Sequence, residues 1–287
     1  MMQGSVTCHK DGRIHRVIDY DFNELVSLQL PESDIILHGP ISESIYNQDI
    51  QGKKIDISIP VYSAGNISGN TIRLNNRNYC TGITRQGIIN AEYIEIDIAY
   101  TSVNTFKCKE LQCATLQTNS TISVSNVTHI NHLIMNECNN QTCLELIDMF
   151  TPDRVSIHAT DTFDINIDDK TLNLELSGHP DVYCGITGKI DTTTANCKLV
   201  DIRSLNNVNI TSLRNTTIDN CSFDTDDGTP YSLDIVTDTL FLRNTTISRL
   251  NSLVAKHVFI DKRCHLSDSV IDVLRACTNT DVEWELS

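Results

Sequence analysis

The chain has 287 residues, room for one elongated repeat domain or two ordinary globular ones; 40% hydrophobic against 21% charged residues exclude a disordered chain. Its 22 Lys+Arg against 37 Asp+Glu give a formal net charge of −15. With no basic run, that balance removes the electrostatic basis for binding nucleic acid or an anionic membrane surface. Aromatics are only 6%, so Ile, Leu and Val must fill the core, and such side chains pack well in ladders of short strands.

The N-terminal stretch MMQGSVTCHKDGRIHR holds no apolar run of a secretory leader, and no later stretch approaches the roughly 18 apolar residues of a membrane span. Residues 1–54 carry short apolar pieces, Val17-Ile-Asp-Tyr-Asp, Leu25–Leu30 and Ile35-Ile-Leu, punctuated by Pro31 and Gly39-Pro40. They read as an irregular N-terminal cap. A solenoid needs one, because an open terminal coil exposes apolar core and an unpaired strand edge.

From Ile55 a regular pattern begins. Pairs of the form apolar-x-apolar, which set two side chains on one face of a strand, fall at Ile72/Leu74, Ile94/Ile96, Leu111/Cys113, Leu133/Met135, Val155/Ile157 and Leu172/Leu174. The first members recur at one longer and one shorter step. The longer runs from Ile72 to Ile94, Leu111 to Leu133 and Leu133 to Val155, the shorter from Ile94 to Leu111 and Val155 to Leu172. Such recurrence is the signature of stacked coils. The uneven steps suggest corners of varying length on one fixed strand face. Gly65, Gly69 and the Asn75–Asn78 region mark corners, and Ile94-Glu-Ile-Asp-Ile98 is the clearest strand.

Two solenoid types compete. Cys108, Leu111, Cys113 and Leu116, and again Ile130, Leu133, Met135 and Cys138, match leucine-rich-repeat spacing, and Leu144 to Phe150 reads as a short helix stopped by Pro152. Elsewhere the return segments, such as Ile122/Val124 and Phe163/Ile165/Ile167, alternate with period two and are rich in Thr and Asn. The fold is therefore read as mainly all-β, a parallel β-helix over residues 55–262, with a leucine-rich-repeat-like solenoid as the alternative. The periodicity resembles that of parallel β-helix proteins and brings no functional motif with it.

The register falters at Gly178–Gly188 and resumes with Leu199/Ile202 and Val208/Ile210. Leu213-Arg-Asn-Thr-Thr-Ile218 recurs further on as Leu242-Arg-Asn-Thr-Thr-Ile247, which suggests like-on-like corners. Residues 263–287 read as a C-terminal cap. Ser267 or Asp268 caps a helix beginning near Ser269, Val270, Ile271, Leu274 and Cys277 supply its apolar stripe, and Trp284 lies on a last strand.

Candidate chemistry is sparse. Cys108/Cys113 and Cys138/Cys143 are two Cys-x4-Cys groups that adjacent coils could bring together, but their spacing is looser than that of zinc knuckles. His129 and His132 could add imidazoles. Asp224-Thr-Asp-Asp-Gly228 resembles a calcium loop, but the glycine comes one residue early and Ile235 stands where the closing Glu belongs. Asp161, Asp164, Asp168 and Asp169 cluster around one strand, as a solvated face requires in any case. None is taken as a catalytic, cofactor or metal site, and no cofactor is expected.

The eight Asn-x-Ser/Thr triplets, at Asn66, Asn119, Asn126, Asn140, Asn209, Asn215, Asn220 and Asn244, read as an Asn/Thr-rich repeat rather than glycosylation sites. The 11 irregularly spaced cysteines read as reduced, buried thiols, which places the chain in the cytoplasm or another reducing compartment. The expected function is non-enzymatic: a structural or protein-interaction solenoid, in a virus particle or another large assembly, with protein partners or copies of itself. The alternative is a carbohydrate-active or polysaccharide-binding β-helix, with a glycan as partner.

Overall fold

The computed structural model describes residues 4–10, 13–20, 27–38, 49–57, 66–76, 87–98, 105–119, 121–126, 129–136, 140–158, 164–178, 189–203, 207–223, 232–277 and 281–284. The protein is mostly β, a parallel β-solenoid of about eight turns with two short helices. It divides into two compact units, residues 1–134 with 145–152, and residues 135–144 with 153–287.

The first unit opens with β1 (Gly4–Lys10), β2 (Arg13–Tyr20) and β3 (Ser27–His38). The strand β1 pairs antiparallel with both β2 and β3. Parallel stacking then starts. β3 pairs with β4 (Asp49–Ile57) in the register Ser27↔Asp49 and Ile35↔Ile55, so coil-like order reaches back into the segment read as an irregular cap.

The next coils comprise β5 (Ile67–Ser68), β6 (Thr71–Asn76), β7 (Ile88–Asn90), β8 (Tyr93–Ile98), β9 (Thr105–Gln112), β10 (Thr115–Thr118), β11 (Thr121–Asn126) and β12 (His132–Asn136). Their pairing corrects the expected single strand face. Ile67 stacks on Ile89 and Ile89 on Leu111, whereas Ile72 stacks on Ile94 and Ile94 on Leu116. These are two neighbouring faces, and on each the chain advances by the same longer step at every one of these coils. The shorter step from Ile94 to Leu111 is a jump between faces, not a shortened corner. All these side chains are fully buried, because alternation puts every second residue inside.

Glycine is required where coils approach most closely. A Cβ on Gly69 would lie 2.6 Å from the Gly52 carbonyl oxygen, and one on Gly52 would lie 2.7 Å from Ile35 Cδ1.

The helix α1 (Asn140–Phe150) starts earlier than Leu144 because Cys143 joins Leu146, Ile147 and Phe150 in one buried stripe. It ends at Thr151, whose φ of 42° breaks the helix while its N–H still bonds Ile147 O at 2.8 Å. Other return segments are strands, which rules against a leucine-rich horseshoe.

In the second unit the short β13 (Arg154–His158) is followed by three long strands, β14 (Ile165–Ser177), β15 (Lys189–Val200) and β16 (Asn207–Asp219). The long ones bend midway and so contribute to two faces, with pairing shifts between Asp169 and Asn173 and between Thr194 and Asn196. Inside the bend Thr194, Ser212, Thr237 and Ala255 are all buried. Small side chains fit there, and the hydroxyls satisfy one another: Ser212 Oγ lies 2.7 Å from Thr237 Oγ1 and 2.9 Å from Thr216 Oγ1.

After the short β17 (Ser222–Phe223), each of the two faces takes its own strands: β18 (Ser232–Val236), β19 (Thr239–Arg243), β21 (Ser252–Val254) and β22 (His257–Ile260). A third face is built from β17, β20 (Thr246–Ile247) and β23 (His265–Leu266). The helix α2 (Asp268–Ala276) is capped by Ser267, whose Oγ accepts from the Val270 N–H, and it buries Val270 and Leu274 as its stripe predicts. The last strand, β24 (Asp281–Trp284), pairs with β22.

The duplicated hexapeptide does not stack on itself. Ile218 pairs with Leu242, the first residue of the second copy, rather than with its own counterpart Ile247. The offset between the copies is thus longer than one coil, and it carries the second copy around the next corner. Leu213 is consequently exposed while its counterpart Leu242 is buried.

Candidate functional site

In the first unit, the outward positions of β3, β4, β6 and β8 form two parallel columns. Asp34, Lys54, Thr71 and Tyr93 align in one, and Ile36, Asp56, Arg73 and Glu95 in the other. Over these residues lies a cavity of about 360 Å³ lined by Asp34, Lys54, Asp56, Thr71, Arg73 and Tyr93 together with Ile35, Ile36 and Ile55. Asp34 and Asp56 sit on adjacent strands in diagonal positions, so their Cα atoms are about 8 Å apart.

Two contacts fix the far wall. Tyr93 Oη donates to Gln117 Oε1 at 2.5 Å, and Arg73 Nε pairs with Glu95 Oε2 at 3.0 Å. Burial pushes the Tyr93 hydroxyl pKa up, the Glu95 charge adds to this, and Arg73 opposes it, so the phenol stays protonated at neutral pH. No hydrogen bond or ion pair among the described residues engages the side chains of Asp34, Lys54 or Asp56. Acceptors, donors and one aromatic ring therefore face the same space.

A second arrangement lies at the ends of β13 and β14, where His158 Nδ1 and Ser177 Oγ are in hydrogen-bond contact. Burial lowers the His158 pKa and Glu175 partly offsets this, so the imidazole is neutral at pH 7. A neutral imidazole on a hydroxyl is the start of a nucleophile–base pair, but none of the described residues bonds Nε2 to orient the ring.

No family model, curated protein or solved structure matches the chain.

The residues singled out from sequence fall elsewhere. Cys113 and Cys143 are buried, while Cys138 and the Cys108 side chain lie outside what is described. Among the described residues there is no disulfide and no cluster of three or more His, Cys, Asp or Glu that could hold a metal. His129 is exposed and His132 half-buried. The loop Asp224–Gly228 and Asp161 also lie outside the described residues. Asp164 Oδ1 accepts the Lys189 N–H at 2.7 Å, and Asp169 Oδ1 accepts the Thr171 N–H at 2.9 Å. These two carboxylates hold corners rather than face each other, and Asp168 is simply exposed.

Polar side chains on the second unit are largely tied together. Asn215 Nδ2 donates to Asn196 Oδ1 at 3.1 Å, and Asn196 Nδ2 to Asn173 Oδ1 at 2.6 Å. At a corner, Asp201, Asn220 and Asn244 all have positive φ, and their side chains form a second ladder, Asn244 to Asn220 at 2.7 Å and Asn220 to Asp201 at 2.5 Å. Asn and Asp tolerate this backbone better than other non-glycine residues, which explains how a chain with only 12 glycines turns so often. Phe241 and Phe259 stack with centroids 5.1 Å apart, and the Arg243 guanidinium lies 5.8 Å from the Phe241 centroid. The rings cover each other's faces, so they are not a free platform.

The cavity residues form no local motif, because they are separated in sequence and share a face only through the stacking of coils. The outward column of Asp56, Arg73 and Glu95 steps in parallel with the inward column of Ile55, Ile72 and Ile94, and was readable once alternation fixed its face.

Proposed function

We propose that the protein is a non-enzymatic scaffold that assembles laterally through the apolar ridge of its second unit, in a large assembly such as a virus particle formed in a reducing compartment. One observation carries this reading: Leu213, Val236 and Val254 are 48%, 41% and 61% exposed, with Val236 and Val254 directly paired on neighbouring strands. Val236 and Val254 thus present a short apolar strip, and Leu213 stands exposed near the bend of the preceding strand.

Magnitude shapes the proposal. Burying three side chains that are already half covered contributes on the order of 3 kcal/mol, less than a millimolar complex needs. Such a contact matters where many copies repeat it, as in an assembly. No disulfide joins the described cysteines, which is in keeping with that compartment. Burial pushes the thiols of Cys197 and Cys221 up to about 12, which keeps them protonated and slow to oxidise.

Light scattering of the full chain at rising concentration tests the proposal. The expected result is a weak net attraction between chains, read at high salt as scattering per molecule that rises toward about 1 mM and does not rise in the triple variant Leu213→Ser, Val236→Thr, Val254→Thr. A chain that shows no attraction over that range, or a variant that attracts equally, overturns it.

A further inference from the structure

We propose that the cavity on the first unit binds a neutral, hydroxyl-rich ligand, namely a segment of an oligosaccharide. This goes beyond the assembly role, which rests on other residues in the other unit.

Charge excludes the alternatives first. The cavity holds two carboxylates, Asp34 and Asp56, against Lys54 and Arg73, and Arg73 is already paired with Glu95. One ammonium beside two carboxylates does not favour a phosphate or a uronate. Nor is the site a set of acids closing on a cation, because Lys54 aligns directly beside Asp34 across β3 and β4. What remains is a surface offering acceptors (Asp34, Asp56), donors (Lys54, Arg73) and a group that does both (Thr71). A sugar hydroxyl donates and accepts at one atom, so alternating donors and acceptors match a polyol better than any ion.

Two features add specificity. Tyr93 is held by its bond to Gln117, so its ring is a fixed apolar wall beside polar groups, suited to the C–H face of a pyranose. The columns repeat at the strand spacing of about 4.8 Å, so a ligand lying along them meets a different polar side chain at each strand. Among the described residues, Asp34, Lys54 and Asp56 have no side-chain bonds to break before a ligand engages them.

The test is isothermal titration of the full chain with cellohexaose, chitohexaose and mannohexaose, with hexagalacturonate as an anionic counterpart. At least one neutral hexasaccharide should bind, and the double variant Asp34→Ser, Asp56→Ser should weaken it about tenfold or more while keeping the wild-type circular dichroism and melting. Loss of every neutral sugar at about 10 mM, undiminished binding by the variant, or preference for hexagalacturonate overturns the proposal. If the double variant does not fold, the wild type still decides. The Tyr93 ring resonances, assigned by Tyr93→Phe, should shift on titration with the bound sugar, and unshifted resonances reject this cavity as the site. Failure here leaves the ridge variants unaffected, so the two proposals fall separately.

Discussion

The outward faces of the two units are built on the same alternating strands, but the first leaves part of its polar surface unengaged where the second ties its side chains together. On the second unit, Glu175 receives both Arg154 and Lys198, and Asn173, Asn196 and Asn215 pass hydrogen bonds from coil to coil. On the first, Asp34, Lys54 and Asp56 face a cavity with no side-chain bond among the described residues. A parallel stack places like positions about 4.8 Å apart, so complementary side chains in one column bond to each other by default. Three neighbouring charged residues with no side-chain bond among the described residues are therefore the more informative condition, because they are able to accept something else.

The contrast can be broken most forcefully at the close approach of coils in the first unit. Gly69→Ala drives a Cβ against backbone, which cannot move aside as a side chain can, and should cost roughly 3 kcal/mol in urea unfolding. Gly52→Ala meets the end of the Ile35 side chain and should cost less. If Gly69→Ala unfolds at the wild-type urea midpoint, the tight packing of those coils is wrong.

In the second unit, Asn220→Ala removes the middle of the corner ladder and strains a residue with φ of 51°, for an expected loss of about 2 kcal/mol. Asn220→Gly keeps the backbone and loses only the side-chain bonds, so about half that loss is expected. Equal losses from both would show that the backbone conformation contributes nothing.

The salt-linked column gives a smaller, pH-dependent effect. Burial works against the Glu175 carboxylate, but its bonds to Arg154 and Lys198 outweigh that and hold its pKa below the ordinary 4.5. The stabilisation is thus fully present above that value and is lost as pH falls through the lowered one. Glu175→Gln should flatten that acidic part of the stability profile, and by removing the charge that raises the His158 pKa it should also shift the imidazole's contribution just below neutrality. At the other extreme, Asp34→Ser and Asp56→Ser should change stability by no more than about 0.5 kcal/mol, since neither side chain holds the fold. A large loss from either would end the contrast.

How much of this was legible follows from what alternation encodes. The inward residues, from Ile72 to Leu174, were all identifiable, because burial on one side imposes a period of two wherever a strand lies. The face to which a strand belongs was not, since Ile94-x-Ile96 and Leu111-x-Cys113 look alike yet stack in different columns. The repeated Leu-Arg-Asn-Thr-Thr-Ile misled for the same reason. The inner alternation of Thr216/Ile218 and Thr245/Ile247 survives in both copies, while Leu213 and Leu242 take opposite sides. Of the candidate site nothing was singled out, because Asp34, Asp56 and Tyr93 are far apart in sequence and meet only when successive coils are superposed.

The asparagine ladders carry one practical consequence for making the protein. Asn119, Asn209, Asn215, Asn220 and Asn244 each begin an Asn-x-Ser/Thr triplet, and each donates its Nδ2 to a neighbouring coil. That nitrogen is the atom a glycosylating enzyme would modify during synthesis in a secretory host. A sugar tree there would occupy the gap that the next coil must enter, and the solenoid would stall one turn short wherever it was attached. Expression in a bacterial cytoplasm avoids the obstruction, and a secreted yield recovered by changing these threonines and serines to valine or alanine would reveal where it acts.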